Sequence, residues 1–400
     1  MTRVRKLLLI CLVLLLLSQV PFAYRRYRLR RLKAAIDAVN SSRSIENSPA
    51  FQEYKGVVHV HSFLGGHSQG TFQEIISGAQ TNKLNFVVMT EHLEKDIDTS
   101  KMTLSGMHGG VLFINGNEVS ADSGDRLLSI PGDGSLARTP TLSTSEIATN
   151  AHARGALSFV AYPADFKSWN EEFDGLEVYN VFTNSKKINL AVALFDSIWS
   201  QRAYPDLLFA NYLERPSDSL AKWDELTTAR KVVGLAGNDS HSNVGFQLQD
   251  SKGQVLFGLK LDPYETSFRL VRVHVIVPGE AGLSSESIIS ALRGGHCFIG
   301  FDFLGETSGF RFEAINSKEL KIQGDEIAFE PGTRLNIVLP VSGRILLFRN
   351  GEILFEESGV KSKELTINER GVYRVEVNLP QLGKLGGSAP WILSNPIYVR

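Results

Sequence analysis

The sequence predicts an α/β chain that gives way to a smaller all-β module, with an apolar leader in front, and three observations carry that prediction. Short apolar runs alternate with helical stretches from Gly56 to about Gly300, as strands buried between helices do. Past Gly300 the helical signal vanishes and short strands follow one another between turn residues. Ahead of both lie residues 7–24, almost uncharged and rich in leucine. At 400 residues the chain exceeds one small domain. Its 43% hydrophobic and 21% charged content excludes a disordered or collagen-like chain. A net charge of −1 gives no electrostatic case for binding nucleic acid, and none is expected as a partner. Two cysteines, Cys11 and Cys297, cannot build a disulfide framework or a thiolate zinc site.

The leader follows Arg3, Arg5 and Lys6, the layout of a signal peptide or signal anchor, and is just long enough to span a bilayer. Ala23 could end a cleavage site, but Pro21 occupies a position that prefers a small residue, and Arg25 and Arg26 follow at once. The reading is an uncleaved anchor at 1–24, with cleavage and export as the alternative. Ile10 before Cys11 excludes a lipoprotein site. Cations crowd residues 25–33, which argues for a cytoplasmic C-terminal side, whereas the signal-like layout argues the reverse, so the side of the membrane stays open. Residues 25–54 read as a basic juxtamembrane helix, touching lipid headgroups, and a polar linker.

Within the alternating region, 55–301, strands are expected at 57–61, 86–90, 111–115, 157–161, 175–179, 232–236 and 271–277. Capping boxes at Thr71/Glu74 and Ser143/Glu146 open two helices, Gly155 closes the second, and a further helix runs from Ser285 to Arg293 before Gly294 and Gly295. In the tail, 302–400, strands are expected at 335–339, 344–349, 353–356, 363–367 and 372–377, separated by turns such as Asn350-Gly351 and Glu369-Arg370-Gly371. That pattern suits a β-sandwich. The tail contains no histidine, so no metal chemistry is expected there.

Histidine placement carries the chemistry. The first strand ends His59-Val60-His61, and side chains two apart on a strand share a face. His67 follows in a glycine-rich loop; a second strand ends Thr90-Glu91-His92; a third segment gives Gly116-Asn117-Glu118; and a late strand runs into Gly237-Asn238-Asp239-Ser240-His241. Each group lies at a strand's C-terminal end, the face where α/β barrels build active sites. Imidazoles and carboxylates converging there suit Zn, Mn or Fe.

These segments, with residues 174–180 (Asp-Gly-Leu-Glu-Val-Tyr-Asn), resemble the polymerase-and-histidinol-phosphatase (PHP) metallohydrolases over about residues 55–300. The resemblance implies a distorted seven-stranded α/β barrel with metals at its C-terminal end. The run from Trp391 to Tyr398 also resembles the subgroup that includes carbaryl hydrolase, with its C-terminal β-sandwich. Carried over, His59, His61, Glu118 and Asp239 would hold one divalent ion and His67, His92 and His241 another. Glu118, Asp239 and His241 would then be ligands at the reacting centre, around a metal-activated water. The chain departs from the family at a third site: Tyr162 precedes Pro163 where histidine is usual, and Gly124-Asp125 replaces a Gly-His step. Asp125 is a further candidate ligand, and the third site is expected to be weak or absent. Glu91 stands in place of aspartate. Tyr162 and Asn180 are candidates to touch substrate, and Glu177 with Asn180 to orient ligands. His108, His152, His274 and His296 are expected to be structural, and Arg154, Lys186, Lys187 and Arg202 to be solvated charges rather than anion contacts. The resulting expectation is a metal-dependent hydrolase of a small-molecule substrate, a phosphoesterase first. The alternatives are a carbamate, ester or amide hydrolase, or a non-catalytic ligand-binding scaffold at the membrane.

Overall fold

The computed structural model describes residues 3–45, 50–138, 141–181, 183, 189–210, 212–249 and 255–400. Lys186 and Lys187 lie outside them.

The strand Phe51–Val60 organises the chain because its two halves bond different partners. Its second half pairs in parallel with Phe86–Met89 on one side and Val233–Ser240 on the other. From Phe86–Met89 and its continuation Glu91–His92, the pairing passes in parallel to Val111–Ile114 and Asn117–Ser120. It turns antiparallel into Arg126–Ile130 and out again to Leu157–Ala161, then runs parallel through Gly175–Asn180 to Val233–Ser240. The ladder thereby returns to the strand where it began. Side chains such as Val58, Phe86, Leu128, Phe159, Leu176 and Leu235 are fully buried along it. Strands covered on both faces read as continuous apolar runs, which is why most were visible in the sequence.

Two expectations change. Arg126–Ile130 was not foreseen: Arg-Leu-Leu-Ser-Ile has a single β-branched residue, a weak strand signal. The expected strand at 271–277 forms as Arg272–Pro278, but it pairs antiparallel with the first half of Phe51–Val60 and then with Cys297–Gly300, outside the ladder just traced. The boundary expected at residues 54/55 thus falls inside a strand.

Both capping boxes form, opening the helices Phe72–Thr81 and Thr144–Ala153. Gly155 and Gly295 take left-handed φ values of 70° just past their helices, where an L side chain would be strained.

In the tail, Arg334–Arg349 pairs with Arg311–Ile315, Glu352–Thr366 and Gly371–Asn378. The segments expected separately at 335–339 and 344–349 are one strand, because Pro340 and Gly343 fall at a register shift between Val338 and Gly343 instead of ending it. The segments at 353–356 and 363–367 fuse likewise. Asn350 and Gly351 both take positive φ, 50° and 84°, as a two-residue hairpin turn requires. The tail is tied back to the body through Ile392–Ser394, which pairs with Cys297–Gly300. The Asn395 side chain both accepts from and donates to the Gly234 backbone, each at 2.8 Å. One apolar core runs through both regions.

The leader and the basic run form a single helix, Arg3–Ser41. Its first part is exposed, Leu8, Leu14 and Leu16 included, while Leu29, Leu32, Ile36 and Val39 make a helical stripe buried against the body. By length and composition it can cross a membrane, with a mean hydropathy of 2.4 in its most apolar window.

Candidate metal centre

Four strand ends deliver the histidines and acids to one place. His59 and His61 come from the end of Phe51–Val60, but simple alternation does not aim them. The register shifts between Val58 and Val60, and His59 sits at φ 68°. This bulge brings the two rings to a centroid separation of 5.0 Å. Tyr162 (φ 51°) and Asp239 (φ 48°) also hold left-handed backbone. Non-glycine residues rarely adopt it, and it concentrates at functional sites.

The acids face the imidazoles. Glu118 Oε2 lies 3.1 Å from His59 Nε2, 3.3 Å from His61 Nε2 and 3.6 Å from His92 Nε2. Asp239 Oδ1 lies 3.5–3.6 Å from His59 Nε2, His61 Nε2 and His241 Nδ1. His67 Nε2 is 2.6 Å from His241 Nε2 and 3.3 Å from His92 Nε2. Donor atoms of His59, His61, Glu118 and Asp239 fall within ion-binding reach of one another, as do those of His61, His92 and His241. The structure therefore gathers all seven expected ligands, with His61 central to both sets and His67 against the second.

Other side chains hold this arrangement. Glu177 Oε1 lies 2.5 Å from His59 Nδ1, so that nitrogen donates its proton to Glu177 and Nε2 faces Glu118 inside the cluster. Asn180 donates to Glu177 Oε2 (3.0 Å) and accepts from the Thr183 amide (2.9 Å). Its polar atoms thus support Glu177, as a residue that orients a ligand does. Glu91 accepts from the Ser62 amide and the Thr103 hydroxyl, bracing the backbone next to His61. Tyr264 donates to the His61 carbonyl (2.6 Å).

The candidates for a third site are bound elsewhere. Asp125 accepts from the Lys167 amide, the Thr144 hydroxyl and the Ser168 hydroxyl, which engages both its oxygens and keeps it out of the cluster. The Tyr162 hydroxyl donates to Asp239 Oδ2 at 2.6 Å. The pattern of acids and histidines does not point to Arg126, yet it donates to Glu118 Oε1 (2.9 Å) and lies 5.4 Å over the Tyr162 ring. Its one signal was its position directly after Asp125, visible only once the strand it opens is known. Of the remaining histidines, His108 bonds Ser105, His152 Asp174, His274 Glu53 and Thr307, and His296 Asp325. Arg154 is held by Asn150 and Ser129.

The electrostatics call for a cation. Burial raises a carboxylate's pKa, yet the His59 and His61 imidazoles packed against it hold Glu118 well below the ordinary range, and the same two histidines depress Asp239. Burial and the neighbouring imidazoles push His92 down to about 4 and His241 to about 3, so both present neutral lone pairs at pH 7. Both ring nitrogens of His61, and Asp239 Oδ1, are buried without a hydrogen bond of good geometry. Such atoms cost on the order of 1–3 kcal/mol each when left unpaired, and nitrogen and carboxylate donors together suit a divalent transition metal. The residues present fit one.

Three cavities border the cluster or the side chains that brace it. One of about 400 Å³ is lined by His92, Lys95 and Glu118, one of about 300 Å³ by Arg126 and Tyr162, and one of about 330 Å³ reaches Asp239. A larger space of about 540 Å³, beside Phe51–Lys55, contains none of these residues.

No family model and no curated protein matches the chain. Among solved structures it is similar to a two-domain protein from Bacteroides vulgatus described as containing a PHP-like metal-dependent phosphoesterase, at 13% identity and a TM-score of 0.40 over 89% of this chain and 97% of that one. It is also similar to PsfC from Pseudomonas syringae (14%, TM-score 0.37, 60% and 90% covered). A third similar structure is Endonuclease Q bound to a duplex with an abasic lesion (15%, TM-score 0.35, 61% and 57% covered).

Proposed function

We propose that this chain is a PHP-type metal-dependent hydrolase, a phosphoesterase of small molecules, held at a membrane by its N-terminal helix. The observation that carries the reading is the set of buried donors without hydrogen bonds, His61 Nδ1 and Nε2 with Asp239 Oδ1, among acids that stay ionised. In this reading the closed ladder of residues 55–301 is the distorted seven-stranded barrel, and residues 302–400 are a β-sandwich that braces it.

His59, His61, Glu118 and Asp239 would hold one divalent ion, and His67, His92 and His241 a second. Bound there, two such ions supply Lewis-acid activation of water and of the ester. The chain's residues do the positioning. Glu177 keeps the proton of His59 on Nδ1, and Arg126 orients Glu118 through Oε1. Tyr162 fixes Asp239 through Oδ2, leaving Oδ1 inward. The rest of the Arg126 guanidinium borders the cavity it shares with Tyr162, and Lys95 borders the cavity of His92 and Glu118. Two cations at the mouths favour an anionic phosphate over a neutral carboxyl or carbamate ester. Water adds to phosphorus, the bond from phosphorus to the alcohol oxygen breaks, and the alcohol leaves with the proton the water gives up.

The test is turnover of 4-nitrophenyl phosphate and 4-nitrophenyl acetate by purified protein, after chelation and after return of Zn or Mn. Metal-restored hydrolysis of the phosphate ester is expected. Folded protein that hydrolyses neither ester with either metal would falsify the reading.

A further inference from the structure

The N-terminal helix does not end at the surface of the body but runs along the helix Leu190–Ser200. Gln19 accepts from the Trp199 indole (3.0 Å), Phe22 meets Phe195 at 5.1 Å between centroids, Arg25 pairs with Asp196 at 2.5 Å, and Arg26 donates to the Trp199 carbonyl. Phe195 and Ile198 remain 40% and 66% exposed beside that contact. A membrane crossed by the leader would therefore lie next to Leu190–Ser200.

The same short helix walls the cavity of about 330 Å³ that reaches Asp239, through Ala193, Asp196 and Ser197. Opposite stand Leu208, Phe209 and Leu270, and residues 238–240 complete the lining at the metal centre. Apart from Asp239, its acids are already engaged: Asp196 by Arg25, and Asp262 by the backbone amides of Asn243 and Val244. What is left is mostly apolar and falls at the small end of ligand pockets, about 300–1,000 Å³. The other two cavities at the centre carry Arg126 and Lys95. The Lys95 recess thus includes His92 and Glu118, the Arg126 recess adjoins the ligands through the bonds of Arg126 to Glu118 and of Tyr162 to Asp239, and the apolar recess, which reaches Asp239, lies behind the helix that faces the leader.

We propose that the substrate is an amphiphilic phosphate ester drawn from the bilayer, with its alkyl chain in the cavity behind Leu190–Ser200 and its phosphate at the His59–Asp239 cluster. This rests on the hydrolase reading and names its substrate class. An apolar recess gains from desolvating an alkyl chain, while Arg126 and Lys95 take the anionic end.

The full chain, reconstituted in phosphatidylcholine vesicles containing a phosphatidic acid with a diazirine on its acyl chain, is irradiated and its adducts are mapped by mass spectrometry. Adducts are expected on the segments bearing Ala193, Ser197 and Leu208, with at least a fivefold loss in Ala193→Trp and, independently, in Leu208→Trp, each of which fills the recess. Adducts confined to the leader would overturn the proposal, as would cavity adducts that persist in both filled variants. Labelling only by a diazirine-bearing alkyl phosphate added from solution would overturn the bilayer route. Elemental analysis of the same samples keeps the two readings apart: cavity adducts on protein that takes up no metal would uphold the chain pocket and count against the hydrolase, whereas metal without cavity adducts would do the reverse.

Discussion

The strand Phe51–Val60 contributes to two buried clusters of histidine and acid, one near each end, and both place donor atoms within ion-binding reach. Near its start, His274 lies 2.7 Å from Glu53 and 3.0 Å from Thr307, Arg272 donates to Asp302 (3.0 Å), and Lys55 donates to Glu306 (2.8 Å). Thr307 closes the network onto Asp302, and the His274 ring stacks on Phe298 at 4.6 Å. Two permanent cations already balance these acids. At the other end, His61 and Asp239 keep buried donors without hydrogen bonds, and His59 and Asp239 hold left-handed backbone. Ligand spacing passes both clusters; partner satisfaction separates them. The first is a structural network, and the second is built for an ion that the protein must acquire.

The largest effect should come from His61→Ala, which removes a ligand of the first ion whose ring also stacks against His92 and His241 of the second set. Turnover should fall further than the roughly 10–100-fold typical when a ligand loses its supporting partner, with most of the metal lost on elemental analysis. Glu177→Gln, which weakens the hold on His59 Nδ1, should fall within that roughly 10–100-fold range in metal affinity, read by competition with a chelating dye. If His61→Ala kept full metal, the division between the clusters would collapse.

His274→Ala sharpens the contrast from the other side. Removing one partner from a buried ionic network costs about 3–5 kcal/mol, so denaturant unfolding should shift strongly while metal content stays at the wild-type level. The network should also set a pH dependence. Burial lowers the His274 pKa, but Asp302 and Glu53 outweigh it and raise it to about 9. A group raised in the folded state stabilises fully below its unfolded value, about 6.5, and loses that contribution as pH climbs through about 9. Unfolding followed from pH 6 to 10 should show stability declining across that window, and a flatter decline in His274→Gln. The smallest effect should be that of Asp125→Asn: its oxygens serve Thr144, Lys167 and Ser168, so metal content should not change.

The cluster was legible because metal chemistry restricts residue types: His-x-His, Glu-His, Asn-Glu and Asp-Ser-His at successive strand ends are few ways to solve one problem. Glu177 was expected beside the ligands from the run 174–180, and it meets His59 from behind. What stayed hidden depends on contacts between distant segments. Arg126 reaches Glu118 only because Arg126–Ile130 turns back as an antiparallel strand, and its leucines gave little sign of one. Nothing in the residue types of His59, Tyr162 or Asp239 announces positive φ, since no glycine marks the bulge. Asp125 looked available until the amide and hydroxyls that surround it were in place. In the tail, Pro340 and Gly343 read as breaks although the strand continues past them. The docking stripe Leu29, Leu32, Ile36 and Val39 was masked by the arginines among which it begins.

The most direct test of the central claim is metal uptake by the full chain, stripped by chelation and titrated with Zn, in wild type, His61→Ala and His274→Ala. The account predicts about two tightly held ions, as in two-metal hydrolases, in the wild type and in His274→Ala, and almost none in His61→Ala. No uptake by folded wild-type protein, or loss of the ions in His274→Ala with His61→Ala unaffected, would contradict it.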